Sequence, residues 1–377
     1  MYKTLKPLIF SLSPETAHRL TLFALKHVPV VLLPRPQSNS PRLKVTLWGR
    51  SFPNPVGLAA GFDKNAESLN GLFRLGFGFI EAGTVTLKPQ SGNPRPRVFR
   101  CPEHNAVINR MGFPNCGVVT FQDNLRKFLE KKPRPNGVLG LNIGMNKDQT
   151  EPSKDYVALV RLLAPMADYL TINISSPNTP GLRNLQEKEP LRELLSAVLA
   201  ERKASCGDFQ PPLLVKLAPD LTDTQIDDIA SVLLDLKIDG VILSNTTLSR
   251  PENLPVAFRE EKGGLSGAPL TDLSTSIIRR FYSATKGEIP IIGVGGIGSA
   301  KDAYTKIRAG ASLIQIYSNL IFHGPSLPSM INTGLIDLLQ QDGFSHISEA
   351  VGADHRTNTT KNDPGDTQEN DGTAKLA

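Results

Sequence analysis

Eight short apolar runs recur along this chain, and helical segments lie between most of them. They are Val56 to Ala60, Phe79 to Gly83, Val138 to Asn142, Tyr169 to Ile174, Leu213 to Leu217, Gly240 to Ser244, Pro290 to Val294, and Leu313 to Tyr317. Segments such as Pro190 to Lys203 and Asp223 to Leu236 read as the helices between them. Runs of this length that are apolar throughout, alternating with helices, indicate a parallel sheet with helical crossovers. Eight such units fit a closed (β/α)8 barrel better than an open doubly wound sheet. The chain has 377 residues, 40% of them hydrophobic, and a barrel of this kind needs about 250. The long stretch from Leu87 to Asn136 is expected to be an insertion beside the barrel mouth.

The flanks read differently. Residues 1–37 form an N-terminal helical extension, residues 38–345 the barrel domain, and residues 346–377 a disordered polar tail rich in Asp, Asn, Thr and Gly. In the extension, Leu5, Leu8, Ile9 and Leu12 share one face of a first helix. Ser13-Pro14-Glu15 reads as an N-cap with proline at the first helical position. Ala17, Leu20, Phe23, Ala24 and Val28 share a face of a second helix. Lys3, Lys6, Arg19, Lys26 and Arg35 add a basic fringe. An apolar face with a cationic border suits a helix pair lying on an anionic membrane. From the pattern alone, a helical extension packed on the domain body is the favoured reading. Pro34, Pro36 and Pro41 mark the linker that follows.

Composition narrows the function. The net charge of +6 is modest, and no basic block or aromatic-rich basic patch points to nucleic acid. Cys101, Cys116 and Cys206 are far apart and form no CxxC pair, so neither a metal site nor a disulfide framework is expected. No run of about 18 apolar residues could cross a membrane. No secretory signal peptide is expected, because Pro7 and polar residues interrupt the first apolar stretch.

In a barrel, the C-terminal strand ends carry function. Here every one offers a polar side chain or a glycine. The first strand leads to Gly61-Phe62-Asp63-Lys64-Asn65 and the second to Gly83-Thr84. The third ends at Asn142. The fourth breaks from an apolar run into Asn173-Ile174-Ser175-Ser176-Pro177-Asn178. Such a break suits delivery of reactive groups to a mouth, and it also suits an ordinary polar turn. Lys216 lies inside the fifth run, where a buried cation needs a polar or anionic partner; otherwise it snorkels to the surface. Ser244-Asn245-Thr246 follow the sixth strand, Gly295-Gly296 the seventh, and Tyr317-Ser318 close the eighth.

Gly293-Val294-Gly295-Gly296-Ile297-Gly298 matches GxGxxG literally. No acidic residue follows at the dinucleotide-binding distance, where Gln315 and Tyr317 stand instead, so the Rossmann reading fails. The position suits a barrel phosphate site after strands seven and eight, with the glycine-rich loop Gly263 to Gly267 closing the same pocket. Tight turns are the other reading of both segments. The six histidines are 18, 27, 104, 323, 346 and 355. None is close to a strand-end motif, which disfavours a Ser-His-Asp hydrolase. Ser176 is left as a general base assisted by amides, a lysine or water.

Taken jointly, these motifs resemble the dihydroorotate dehydrogenases of the quinone-dependent, membrane-associated class 2. The stretches that carry the resemblance are Gly57 to Lys64, Gly83 to Thr86, Ile108 to Phe113, Asn173 to Arg183, Ser244 to Thr247, Gly263 to Gly267, Ile292 to Ile297 and Gln315 to Ser318. The N-terminal helices and serine at 176 match class 2, since the soluble class carries cysteine there. The resemblance implies a barrel that binds FMN. The positions implied for the cofactor are Ala60, Gly61, Phe62, Asp63, Lys64, Thr84, Asn142, Asn173, Lys216, Ser244, Gly267, Gly296, Tyr317 and Ser318. It implies that dihydroorotate is held by Lys64, Asn109, Arg110, Met111, Gly112, Phe113, Asn173, Asn178, Asn245 and Thr246. Ser176 falls on the catalytic base, and His18, Arg100 and Tyr317 on the lining of a quinone tunnel. Met145 stands where the family usually has lysine, and Ser244 where threonine is common.

The implied reaction removes the C5 proton of dihydroorotate by Ser176 while hydride leaves C6 for the flavin, giving orotate. A membrane quinone then takes the electrons. The implied place is peripheral, on the cytoplasmic side of the cell inner membrane, and a monomer is favoured. The alternatives are a soluble FMN barrel oxidoreductase using fumarate or nicotinamide, and a non-catalytic phosphate-binding barrel.

Overall fold

The computed structural model describes residues 2–28 and 40–359. The eight apolar runs form the strands β1 (Val56–Leu58), β2 (Phe79–Val85), β3 (Val138–Ile143), β4 (Tyr169–Asn173), β5 (Leu213–Leu217), β6 (Gly240–Leu243), β7 (Ile291–Val294) and β8 (Ala311–Ile316). Each pairs in parallel with its neighbour in the chain, and β8 pairs with β1, so the sheet closes into the expected (β/α)8 barrel. The strand ends move by up to a few residues from their expected places. β1 stops at Leu58 because the chain leaves the ladder for the Gly61 turn, whereas β2 runs on to Val85 across a register shift at Gly83.

The interior is layered by size. A Cβ on Gly57 would stand 2.3 Å from the Phe79 ring, and one on Gly140 would stand 2.0 Å from the Tyr169 ring. Glycine is therefore what admits these fully buried aromatic residues. An antiparallel hairpin, Val45–Leu47 with Arg50–Phe52, closes the N-terminal end of the barrel. Its Trp48 Nε1 donates to the Asp239 carbonyl at 2.7 Å, and Phe52 meets Phe79 edge-on at 5.5 Å.

The crossover helices are α3 (Leu69–Arg74), α4 (Gly117–Leu129), α5 (Pro152–Leu163), α6 (Lys188–Cys206), α7 (Asp223–Asp235), α8 (Thr271–Ala284) and α9 (Ala300–Arg308), and α10 (Leu327–Gln341) follows β8. The Leu87 to Asn136 stretch supplies α4 and the strands Val98–Cys101 and Ala106–Asn109 at the mouth. Gly264–Gly267 pairs with Ala106–Asn109, so that glycine-rich segment is a strand of the mouth sheet rather than a loop.

The extension consists of α1 (Tyr2–Ser11) and α2 (Pro14–His27). Ser13 caps α2, accepting from the Thr16 amide at 3.3 Å, with Pro14 in the first turn as its sequence pattern requires. The apolar face read from the sequence is largely exposed, and a second face of α2 packs on the barrel. Leu25 is buried and Leu22 partly so, whereas Leu20, Phe23 and Ala24 are exposed. Leu25 presses its backbone onto Gly71 of α3, where a Cβ would come within 2.2 Å of the Leu25 carbonyl oxygen. Arginines of the mouth sheet hold the pair from the other side. Arg97 pairs with Glu15 at 2.8 Å, and Arg100 donates to the Phe10 and Leu12 carbonyls while lying over the Phe10 ring.

Pro34, Pro36 and Arg35 lie outside the described residues, and Pro41 opens a 3-10 turn that buries Leu43. The stretch expected to be a disordered tail begins instead with the helices Ile347–Ala350 and Ala353–Thr359. Ile347 and Ala350 are buried, and Asp354 accepts from Arg308 Nε at 2.8 Å. Few apolar residues suffice there because a charged pair anchors the segment to α9. Residues 360–377 lie outside the described residues.

Candidate active site

The strand ends open into a cavity of about 670 Å³ that runs from the barrel mouth to the inner side of α1 and α2. That volume lies within the range of small-molecule sites. Ser176, Asn173, Lys216 and Ser244 line it from the barrel, while Tyr2, Ile9, Glu15, His18 and Leu22 line it from the helix pair. Arg100 lines it from the mouth sheet.

A chain of amide and hydroxyl side chains sets the barrel end. Thr84 Oγ1 donates to Asn142 Oδ1 at 2.5 Å, and Asn173 Nδ2 donates to Thr84 Oγ1 at 3.0 Å. Ser175 Oγ donates to Asn173 Oδ1 at 2.9 Å, and Asn245 Nδ2 donates to Ser175 Oγ at 2.9 Å. The chain is rooted in Glu81, a buried carboxylate on β2 that accepts from Asn142 Nδ2 at 2.7 Å, Tyr169 OH at 2.9 Å and Gln315 Nε2 at 2.8 Å. Three donors on one carboxylate fix which way Asn142 points, and through it Thr84 and Asn173.

Ser176 is 6% exposed. Its Oγ accepts the Asn178 amide at 3.2 Å, and among the described residues no imidazole or carboxylate is hydrogen-bonded to it. Asn178 Nδ2 in turn donates to the Asn109 carbonyl at 3.2 Å, tying the serine loop to the mouth sheet. Met111, Gly112 and Phe113 continue the lining beside Asn109, and Asn245 and Thr246 face them.

The cations are the main electrostatic feature. Lys216 is buried on β5 and lines the cavity, and none of the described residues hydrogen-bonds its Nζ. The snorkelling reading is thereby removed. Burial pulls its pKa down, and the Glu81 carboxylate opposes that shift. Lys64 donates to the Gly61 carbonyl. Its pKa falls to about 8, chiefly because it is desolvated, with Asp63 and Glu15 raising it and Arg97 lowering it. His18 meets Phe62 edge-on at 5.0 Å. Desolvation first, then Lys64, lowers its pKa to about 3, so the ring is neutral at physiological pH. A histidine does therefore reach the strand-end motif, carried there by α2. Tyr317 OH donates to the Gly61 carbonyl at 3.0 Å, and burial raises its pKa.

Backbone built for close approach lies at the other end of the barrel mouth. Gly295 and Gly296 have φ of 117° and 75°. A Cβ on Gly296 would stand 2.1 Å from Thr271 Oγ1. Their carbonyls point back into the protein, accepting from Ser274 Oγ at 3.0 Å and from Asn319 Nδ2 at 2.9 Å. No acceptor among the described residues takes their amides. Gly267 joins them in the lining, and Ser318 Oγ lies 2.7 Å from Ser266 Oγ. Unpaired glycine amides beside hydroxyls suit a phosphate group, and an unpartnered buried lysine suits an electron-rich ring. These residues fit FMN.

Of the site residues expected from the sequence, Ala60, Gly61, Phe62, Lys64, Thr84 and the others named above line this cavity, and three do not. Asp63 is fully buried, and its carboxylate accepts from the Glu67 and Ser68 amides at 3.0 and 2.7 Å, which holds the turn after β1. Asn142 lies behind Thr84 and Asn173. Arg110 faces outward, paired with Glu261 at 2.6 Å and lying over Phe99. Met145 is buried in the apolar core away from the lining. The sequence reasoning missed Glu81, Glu15 and Arg97. A lone acid inside the apolar β2 run was the one available signal, for Glu81.

The dihydroorotate dehydrogenase family model matches residues 42–339. The dihydroorotate dehydrogenase (quinone) of Rhodospirillum rubrum is 52% identical over 356 residues, covering 94% of this chain and 95% of that one. The mitochondrial dihydroorotate dehydrogenase (quinone) of Mus musculus is 52% identical over 349 residues, covering 92% of this chain and 88% of that one. The crystal structure of DHODH from Eimeria tenella in complex with ferulenol superposes with a TM-score of 0.86 at 40% identity, covering 93% of this chain and 99% of that one. With the barrel, the polar mouth and these likenesses in agreement, the chain belongs to the dihydroorotate dehydrogenase family.

Proposed function

We propose that the chain is an FMN-dependent dihydroorotate dehydrogenase that oxidises dihydroorotate to orotate and delivers the electrons to a membrane quinone. The observation that carries this reading is the continuity of one cavity from Ser176 and Lys216 at the barrel mouth to His18 and Arg100 under the helix pair. Substrate chemistry and acceptor access then share one lined space.

Lys64 offers a cation to the substrate carboxylate. Asn109, Asn173, Asn178 and Asn245 offer both donors and acceptors to a ring that carries amides. Ser176 Oγ is the group for the C5 proton. Gly295 and Gly296 offer amides to a flavin phosphate, and Lys216 offers positive charge to the isoalloxazine ring. Bound FMN would supply hydride acceptance from C6 and onward electron transfer. His18, neutral and packed on Phe62, adds no charge of its own to the passage under α2. The Glu81 network keeps the amides in one orientation before substrate arrives, which is where preorganisation contributes to rate.

The outer side of the helix pair supports a membrane surface as its neighbour. Leu8 is 68% exposed and Phe23 63% exposed, with Leu5 and Leu20 beside them. Lys6, Arg19 and Lys26 lie on the same two helices, Lys26 being 3.4 Å from Glu67 and Lys6 over the Phe10 ring. No helix among the described residues is long and apolar enough to cross a membrane, and a surface-lying pair needs only this mix of apolar and cationic groups.

The test is anaerobic. Dihydroorotate added to the purified protein should bleach the flavin absorbance, and a quinone in lipid should restore it. Flavin that stays oxidised under dihydroorotate would refute the reading.

A further inference from the structure

Lys306 is fully buried, and nothing in the chemistry above uses it. It stands on α9, and its ammonium reaches across to the first turn of α8. There it donates to Ser274 Oγ at 2.6 Å, to Thr275 Oγ1 at 2.8 Å and to the Thr271 carbonyl at 3.1 Å. All three ammonium protons are thus used. Burial lowers its pKa to about 7, and Asp302 and Asp272 oppose that shift. An ammonium this far from water is costly unless it serves a partner.

Its partners lead to the glycine turn. A lysine ammonium can only donate, so Ser274 Oγ must accept from it. The single serine proton is then free only for carbonyls, and it is shared between Gly295 O at 3.0 Å and Thr271 O at 3.1 Å. Thr271, whose own carbonyl Lys306 holds, shares its Oγ1 proton between Ala268 O at 2.8 Å and Gly296 O at 3.1 Å. The Gly295 carbonyl is therefore fixed from behind by a hydroxyl that Lys306 organises, while the Gly296 carbonyl is held chiefly by Asn319 Nδ2 at 2.9 Å. A peptide carbonyl and the amide bonded to it point opposite ways, so a Gly295 carbonyl held from behind turns the Gly296 amide to the other side, and that amide lacks an acceptor among the described residues.

We infer that Lys306 is a positioning residue for the phosphate end of the flavin: through Ser274 it sets the Gly295 carbonyl and with it the Gly296 amide that faces the other side. The inference rests on the reading of that turn as the FMN phosphate cradle. It concerns affinity for the phosphate group and not the redox step.

Riboflavin, which has the same ring system and no phosphate, makes the test. The full-length chain is stripped of flavin and titrated with FMN and with riboflavin, following the quenching of flavin fluorescence. Wild type should prefer FMN. Lys306→Met should lower FMN affinity by roughly tenfold or more, in the range typical of outer-sphere partners, while riboflavin affinity stays unchanged. Lys306→Arg should restore part of the preference, and Ser274→Ala should lose part of it. A wild type with no preference would overturn the phosphate reading itself. A wild type that prefers FMN, with an unchanged ratio in Lys306→Met, would overturn the role of Lys306. If Lys306→Met does not fold, Ser274→Ala decides, and an unchanged ratio there overturns the inference.

Discussion

Ser176 presents a hydroxyl whose Oγ accepts the Asn178 amide at 3.2 Å. As the proposed base it would depend on position more than on basicity. Ser176→Ala should keep FMN and still bind orotate, because the pocket loses one oxygen atom. Flavin reduction by dihydroorotate should slow by roughly 100-fold or more, the usual effect of removing a general base. Stopped-flow absorbance under anaerobic conditions measures it, and fast reduction by the alanine variant would assign proton removal to another group. Lys64 supplies the matching prediction for the carboxylate. Its lowered pKa of about 8 means that the charge is present below that pH and lost above it. Orotate affinity should therefore be flat from pH 6 to 7.5 and then weaken by about tenfold per unit as pH rises past 8. Lys64→Arg, whose cation persists to much higher pH, should remove this alkaline limb in a spectral titration of the bound flavin. At this scale the polar strand ends were legible because barrel strands deliver function there. Their supports were not. Glu81 and Gln315 are 234 residues apart in the chain, and Glu15 and Arg97 are 82 apart, so no local pattern joins them.

The elements were legible in proportion to how far their own burial decides their form. The barrel strands are buried on both faces, so their apolar runs were visible with ends shifted only slightly. The hairpin Val45–Leu47 with Arg50–Phe52 was invisible, since its short strands owe their place to Trp48 and Phe52 plugging the barrel. The helices after Ile347 were hidden because a tether to Arg308, rather than an apolar stripe, holds them. In α2 the existence and cap of the helix were readable and its packing face was not, because apolar residues surround it. Leu22 and Leu25 face the barrel, while Leu20 and Phe23 face out. That second apolar side is the testable part. Leu8→Glu with Phe23→Glu changes only exposed positions, and each buried apolar side chain contributes roughly 1.5–3 kcal/mol to transfer out of water. Recovery of the protein on anionic vesicles should fall sharply in a sedimentation assay. Turnover with a small soluble acceptor should be unchanged. Equal vesicle binding by the double variant would sink the idea that this side meets the membrane.

For the whole molecule, the helix pair packs on the barrel through Leu25 and the mouth-sheet arginines and encloses a shared cavity with it, and this division makes their roles separable. On the proposed function, the barrel holds the flavin and orotate positions, from Gly61 to Ser318. The pair contributes Glu15, His18 and Leu22 to the far end of the cavity. Removing residues 1–37 should therefore divide the two half-reactions. The truncated chain should still bind FMN and still be bleached by dihydroorotate. Its reoxidation by a long-chain quinone in lipid should fall by about tenfold or more, since docking on the bilayer no longer concentrates the acceptor at the passage. A small soluble acceptor should still reoxidise the flavin, because loss of the cover widens the opening. Two contacts decide whether the core survives the cut. Arg97 loses Glu15 but keeps the Ser91 and Asn93 carbonyls at 2.6 and 2.8 Å, so its guanidinium is not left bare. The surface of α3 loses the cover of Leu25, which favours aggregation, and flavin occupancy must be measured first. Given full occupancy, undiminished turnover with the long-chain quinone would leave the helix pair as packing alone, and a loss of bleaching by dihydroorotate would place part of the substrate chemistry on the extension.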